Sequence, residues 1–350
     1  MRQRPFIPHS PFPIYYTGDC MYYEEPYRGK RKRPSKSRGR RRGFGEWLAQ
    51  GLLKLIALAL AVALLALGLL YALPPALFAV EPEDMNLALT DGLPMGCINI
   101  LLLGADDLRD GAQRSDAVMI ASVGYGKFKL TSVMRDTLVE IPGHGRNKLN
   151  ASYAFGGPEM VMRTLNQNFG LNLMHFAQVD YVTLVRVIDA IGGVDITITD
   201  AERERINATM RQARKIFAPL GYTAHEVTQY GENIHLDGLQ AASYARIRKI
   251  DSDYMRTSRQ RTLISAMLNK IRANLWNPAM LSRLWRTVME SVNTNMSLLQ
   301  ILSLGEKALL AGSVDQLRLP VDGSFTDDGA KLDVTSYPAN HDAFVRFVYE

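Results

Sequence analysis

The sequence predicts an α/β fold, a three-layer αβα sandwich with a central mixed sheet, preceded by one transmembrane helix. Three observations predict it. Strand and helix patterns alternate after residue 96. The first strands are continuous apolar runs, as strands covered on both faces require. Residues 55–80 contain no charged side chain.

In chain order, residues 1–47 form a basic cytoplasmic arm. Its first 27 residues are rich in Pro and Tyr, a composition that resists packing, and Arg28 to Arg42 then holds ten Lys/Arg and no acid. The transmembrane helix is assigned to 48–73. Its core, LIALALAVALLALGLLYAL (55–73), would span about 28 Å as a helix, close to the hydrocarbon thickness of a bilayer. Pro74 and Pro75 end it, and Trp47 and Tyr71 sit where aromatic rings suit the interfaces. More than forty residues precede this run, which suits an uncleaved anchor better than a signal peptide. The basic run before it, with Glu81, Glu83 and Asp84 after it, predicts a single-pass plasma-membrane protein whose N-terminus is cytoplasmic and whose remainder is extracellular.

Residues 74–95 read as a linker and 96–350 as one domain. Ile98–Leu103 suits a buried strand. Ala117–Val123 and Phe128–Met134 flank GYGK, a hairpin signal. Pro158 opens a helix that Gly170 closes. His175–Tyr181 reads as a strand, Val182–Ile191 as a helix and Val194–Ile198 as a strand. Residues 200–233 read as a polar surface excursion. Helical periodicity returns over 238–246, 257–274, 278–292 and 297–311, and a short strand, Gln316–Val321, precedes the tail.

Net charge is +6, but residues 1–45 carry 12 Lys/Arg against 3 Asp/Glu, whereas residues 80–350 carry 28 against 31. A basic nucleic-acid-binding domain is therefore not expected. Two cysteines exclude a disulfide scaffold. There is no GxxxxGK[ST], no GxSxG, no HExxH and no convincing helix-turn-helix.

Polar residues instead cluster at predicted strand ends. Strand 98–103 delivers Asp106 into a loop, and Arg114 and Asp116 begin the returning strand, so Asp106 and Asp116 reach one sheet edge. Two carboxylates there suit Mg2+ or Mn2+, although a solvated acidic loop reads the same way. Arg135 and Asp136 emerge from strand 128–134 at that edge if it runs parallel to 98–103; an Arg–Asp pair bracing a loop is the alternative. In HLDGLQAASYARIRKIDSDYMRTSRQR, Arg246 and Arg248 lead out of a helix, and Arg256 and Gln260 share a helix face. Guanidinium forks suit phosphate oxygens, while a salt-bridge network with Asp251 and Asp253 competes. Acids and arginines without a nucleophile–base pair point to phosphoryl chemistry.

Three stretches carry a family resemblance: NILLLGADD…RSDAVMIASV, TSVMRDTLVEIPGHGRNKLNASYAFGG and LDGLQAASYARIRKIDSDYMRTSRQR. Over about 97–273 the chain resembles the LytR–CpsA–Psr family of bacterial envelope proteins. The resemblance implies a phosphotransferase that moves a glycopolymer from a polyprenyl (undecaprenyl) pyrophosphate carrier to peptidoglycan, at the 6-hydroxyl of N-acetylmuramic acid. It implies an apolar tunnel for the lipid, Mg2+ on Asp106 and Asp116, and Arg114 in the same catalytic motif. It places Arg135, Arg246, Arg248, Arg256 and Gln260 on the pyrophosphate and gives Lys148 a position facing the same pocket. Met255 stands where a glycine is usual before the arginine. The other readings are a membrane-bound transcriptional regulator or attenuator of envelope genes, supported by the basic run alone, and a non-catalytic wall-binding protein.

Overall fold

The computed structural model describes residues 86–94, 96–105, 115–247 and 253–350, all within a compact unit spanning Val62–Glu350. The arm and the span expected at 48–73 lie outside these residues. Among the described residues no helix is long and apolar enough to cross a membrane.

β1 (Cys97–Ala105), β2 (Ser115–Gly124) and β3 (Lys127–Val133) are the antiparallel centre of a six-stranded sheet. β6 (His175–Val179) adds parallel to β1, and β10 (Val314–Leu319) adds parallel to β3. β9 (Asn293–Thr294) closes the edge beside β6, so the order is β10-β3-β2-β1-β6-β9. The sheet is mixed, as expected. Because β1 and β3 both run antiparallel to β2, their C-terminal ends meet the start of β2 at one edge.

Both sheet faces are covered, which explains the unbroken apolar runs. Leu101, Leu103, Val118 and Ile120 pack with Val161 and Leu165 of helix α1 (Leu149–Phe169) and with Phe344. Ile100, Ala121, Phe128 and Leu130 face the other way. They meet Ile264 and Leu268 of α5 (Asp253–Ala273) and Leu304 and Ala308 of α7 (Leu298–Leu310). A third apolar cluster joins α2 (Tyr181–Ala190), α3 (Asp200–Phe217), α4 (Gly238–Ala245), α6 (Pro278–Ser291), the outer flank of α5 and the antiparallel pair β7–β8 (Val194–Ile198 and Gly231–Leu236).

Several segments differ from the sequence reading. The helix expected from Pro158 begins at Leu149 and is broken at Gly156–Gly157, where Gly157 has φ 59° and ψ −150°, backbone that glycine adopts without a Cβ clash. The polar excursion 200–233 starts with α3, whose Ile206, Met210, Ala213 and Phe217 form a buried stripe at helical spacing. Thr199 and Glu202 close a capping box at its N-terminus. The tail folds too. β4 (Thr137–Ile141), β5 (Gly145–Lys148), β11 (Phe325–Asp327) and β12 (Leu332–Val334) form a second sheet, and α8 (Tyr337–Tyr349) buries Phe344 and Val348. In the stretch read as linker, Leu87 is buried, and its carbonyl accepts from Asn166 Nδ2 at 2.9 Å.

Candidate active site

Asp116, the second residue of β2, sits at the edge where β1 and β3 end. Arg135 and Asp136 occupy the turn Met134–Thr137 after β3. Thr137 holds that turn by donating N–H and hydroxyl bonds to the Met134 carbonyl at 3.1 and 2.6 Å. Neighbouring elements fix it further: the Asn150 N–H donates to Arg135 O and the Leu332 N–H to Asp136 O. The turn is therefore set by α1 and by the second sheet.

The side chains form one ionic network. Arg135 Nη1 lies 2.6 Å from Asp116 Oδ1, its Nε 3.3 Å from Asp136 and its Nη2 3.4 Å from Asp253. Lys148, the last residue of β5, places Nζ 3.0 Å from Asp136. Arg256 Nη2 lies 2.9 Å from Asp253 Oδ1 and donates to the Asp116 carbonyl at 3.3 Å. Arg256 has 4% of its side chain exposed, whereas Arg135 and Asp116 keep 19% and 24%. Arg135 is thus braced by acids while part of its side chain stays open to solvent, whereas Arg256 is almost wholly enclosed. Burial alone would lower the Arg135 pKa, but Asp253, Asp116 and Asp136 outweigh it and hold the guanidinium charged.

The first turns of α5 distribute their cations by helical geometry. Asp253, Arg256 and Gln260 share the face turned to the network. Arg259 points away, with Nε 2.8 Å from Glu202 of α3. Arg261 turns to the sheet and donates to Ser132 Oγ at 2.9 Å and Gln316 Oε1 at 2.8 Å. Gln260 Oε1 is shielded from solvent and has no hydrogen-bond partner among the described residues. Arg246 ends α4 and lies over the Tyr181 ring, 4.4 Å from its centroid.

The structure therefore gathers Asp116, Arg135, Lys148 and Arg256 into one network and sets Gln260 one turn along from Arg256. Asp106, Arg114 and Arg248 lie outside the described residues. Asp136 and Asp253 complete the network. In the sequence they read as bracing partners, which they are: Asp136 and Asp253 brace Arg135, and Asp253 braces Arg256.

The donor set around Asp116 is carboxylate oxygen, which suits Mg2+ or Mn2+. Among the described residues no three acidic, His or Cys side chains stand together as a ready metal cage.

The LytR_cpsA_psr family model matches residues 81–343. The regulatory protein MsrR of Staphylococcus aureus (strain COL) is 29% identical over 252 residues, covering 70% of this chain and 71% of that protein. The polyisoprenyl-teichoic acid–peptidoglycan teichoic acid transferase TagU of Bacillus cereus (strain AH820) is 29% identical over 265 residues, covering 70% and 78%. Among solved structures, TagT of B. subtilis aligns with a TM-score of 0.56 at 22% identity, covering 77% of this chain and 96% of that one. TagT with bound octaprenyl pyrophosphate lipid aligns with a TM-score of 0.52 at 21% identity, covering 72% and 89%. These two share the α/β fold with its mixed sheet.

Proposed function

The chain belongs to the LytR_cpsA_psr family, and from that premise we propose that it is a transferase moving a glycopolymer from a polyprenyl pyrophosphate carrier to peptidoglycan. The observation that carries this reading is the network of Asp116, Arg135, Asp253 and Arg256 at one edge of the central sheet. Arginines already oriented by acids meet a pyrophosphate with little reorganisation, and that is where phosphoryl-transfer catalysts gain most.

The transfer forms a phosphodiester. A hydroxyl oxygen of the acceptor sugar attacks the glycan-bearing phosphorus, the bond from that phosphorus to the bridging oxygen breaks, and polyprenyl phosphate leaves. Arg135 and Arg256 neutralise the phosphate oxygens, with Arg246, Arg248, Gln260 and Lys148 completing the cradle. The hydroxyl proton passes to Asp106 or Asp116, at a carboxylate oxygen not engaged with a cation, since an oxygen that ligates a metal is a poor base. Asp116, with Asp106, would hold Mg2+, which adds charge neutralisation at the phosphates. The apolar run 55–73 and its basic flank support membrane anchoring with residues 80–350 extracellular.

The test is glycan transfer by the full chain in nanodiscs, from a lipid-linked donor to peptidoglycan oligomers. Asp116→Ala and Arg256→Lys are expected to lower kcat/KM by about 10²-fold or more. EDTA is expected to abolish turnover, and Mg2+ or Mn2+ to restore it. Wild-type rates in both variants would move the protein to the wall-binding reading.

A further inference from the structure

Helix α7, LLQILSLGEKALL, is apolar on its outer side as well as its inner one. Leu304 and Ala308 pack on the sheet. Leu298, Leu299, Leu302 and Leu310 are 48%, 54%, 41% and 60% exposed. At 100° per residue, Leu298, Leu302 and Leu309 form a stripe along the outward face, flanked by Leu299 and Leu310. The stripe runs about 18 Å. A surface helix of a soluble domain normally turns polar side chains outward here, and an apolar patch of this kind marks a contact surface. Glu306 lies within this face, between Leu302 and Leu299 by helical angle; its Oε2 is shielded from solvent, and burial pushes its carboxyl up toward the neutral form.

The patch extends beyond α7. Arg272, near the end of α5, donates Nη2 to Ala308 O at 2.7 Å and Nε to Leu309 O at 3.1 Å. The turn after α5 therefore lies beside the C-terminal end of α7. That turn, held by Asn274 N–H to Ile271 O and Asn277 N–H to Asn274 O at 3.0 Å each, presents Trp276, which is 95% exposed. An exposed tryptophan on the turn beside the end of a leucine-rich helix has the chemistry of a membrane interface.

Chain length keeps one occupant within reach. The described residues begin at 86, twelve after the apolar run 55–73. Twelve residues reach at most about 40 Å, similar to the width of a domain of this size. The bilayer is then within constant reach. The exposed apolar area is roughly 500 Å², below the ~800 Å² per partner of a stable dimer.

We propose that the outward leucine face of α7, together with Trp276, lies on the surface of the phospholipid bilayer that anchors the chain. This rests on the anchored reading above. Such contact keeps the domain in the layer where a lipid-linked donor diffuses, raising its effective concentration.

The chain has three tryptophans, Trp47, Trp276 and Trp285. The full chain is reconstituted in phosphatidylcholine–phosphatidylglycerol vesicles with brominated acyl chains, which quench tryptophan on contact. A variant with Trp276→Phe and Trp285→Phe leaves Trp47 to report the anchor. A variant with Trp47→Phe and Trp285→Phe leaves Trp276 to report the face. Both are expected to lose at least half of their fluorescence relative to unbrominated vesicles. Adding Leu302→Glu and Leu310→Glu is expected to restore Trp276 emission and leave Trp47 quenched, with an unchanged thermal melt because both leucines are exposed. Quenching of Trp47 alone overturns the face while the anchor stands, and quenching of neither overturns both. Trp276 shielding that follows protein-to-lipid ratio rather than bromination overturns the proposal in favour of a second copy of the chain.

Discussion

Arg135 touches three carboxylates from three parts of the chain: Asp116 on β2, Asp136 beside it and Asp253 on α5. Only a planar fork with several donors can do this, because lysine offers a single compact charge. Arg135→Lys is expected to keep the net charge but lower kcat/KM by about 10²-fold, and near-wild-type kinetics in the transfer assay would show that charge alone suffices. At this scale much was legible. Asp116 and Arg135 stand directly after or within apolar strands, so their position at a sheet edge follows from the pattern. The division of labour along Arg256–Arg261 was not legible. Which guanidinium faces phosphate and which faces Glu202 depends on the rotation of α5 relative to α3, set by packing between segments about fifty residues apart.

At the scale of elements, β6 begins with a buried histidine, His175, which pairs with Ile100. Burial pushes its imidazole down from the ordinary value of 6.5, so the folded state holds it neutral. The unfolded chain takes up a proton as pH falls through about 6.5, and stability therefore falls with it. The contribution is complete above that pH and is lost on acidification toward the lowered folded value. The midpoint of thermal unfolding is expected to drop by roughly 2–4 °C between pH 7.5 and 5.5, and His175→Leu to flatten that drop. An equal drop in the variant would assign the pH dependence elsewhere. The central strands and most helices were legible because each carries its own hydrophobic period. α3 was obscured by eight charged residues in its first sixteen positions, although Thr199 and Glu202 mark its start. β4 and β5 are too short to show a period, and the hydrogen bonds that make them strands come from distant segments.

At the scale of the molecule, the strand order could not be read from the sequence. β10 joins β3 across 186 positions, from Phe128 to Val314, and no local pattern encodes such a partner. The C-terminal helix binds the same region: Lys129 Nζ reaches the Phe347 carbonyl and Lys127 Nζ donates to Glu350 O at 3.2 Å. Phe344, fully buried between α8 and α1, makes this cover part of the core. Phe344→Ala is expected to cost about 3–5 kcal/mol in denaturant unfolding. A loss below 1 kcal/mol would make α8 an appendage. Asn99 donates to the hydroxyl of Tyr349, 250 positions later. A ribosome delivers β1, β2 and β3 well before the helix that covers them, so the growing chain carries an unfinished hairpin, one flank bare, until that helix emerges. Closing contacts so far apart is slow because the loop entropy is lost before any contact forms. Completion of the fold then waits for the helix Tyr337–Tyr349, and a nascent chain stalled before it exposes the leucines of β1 to whatever chaperone or protease is near.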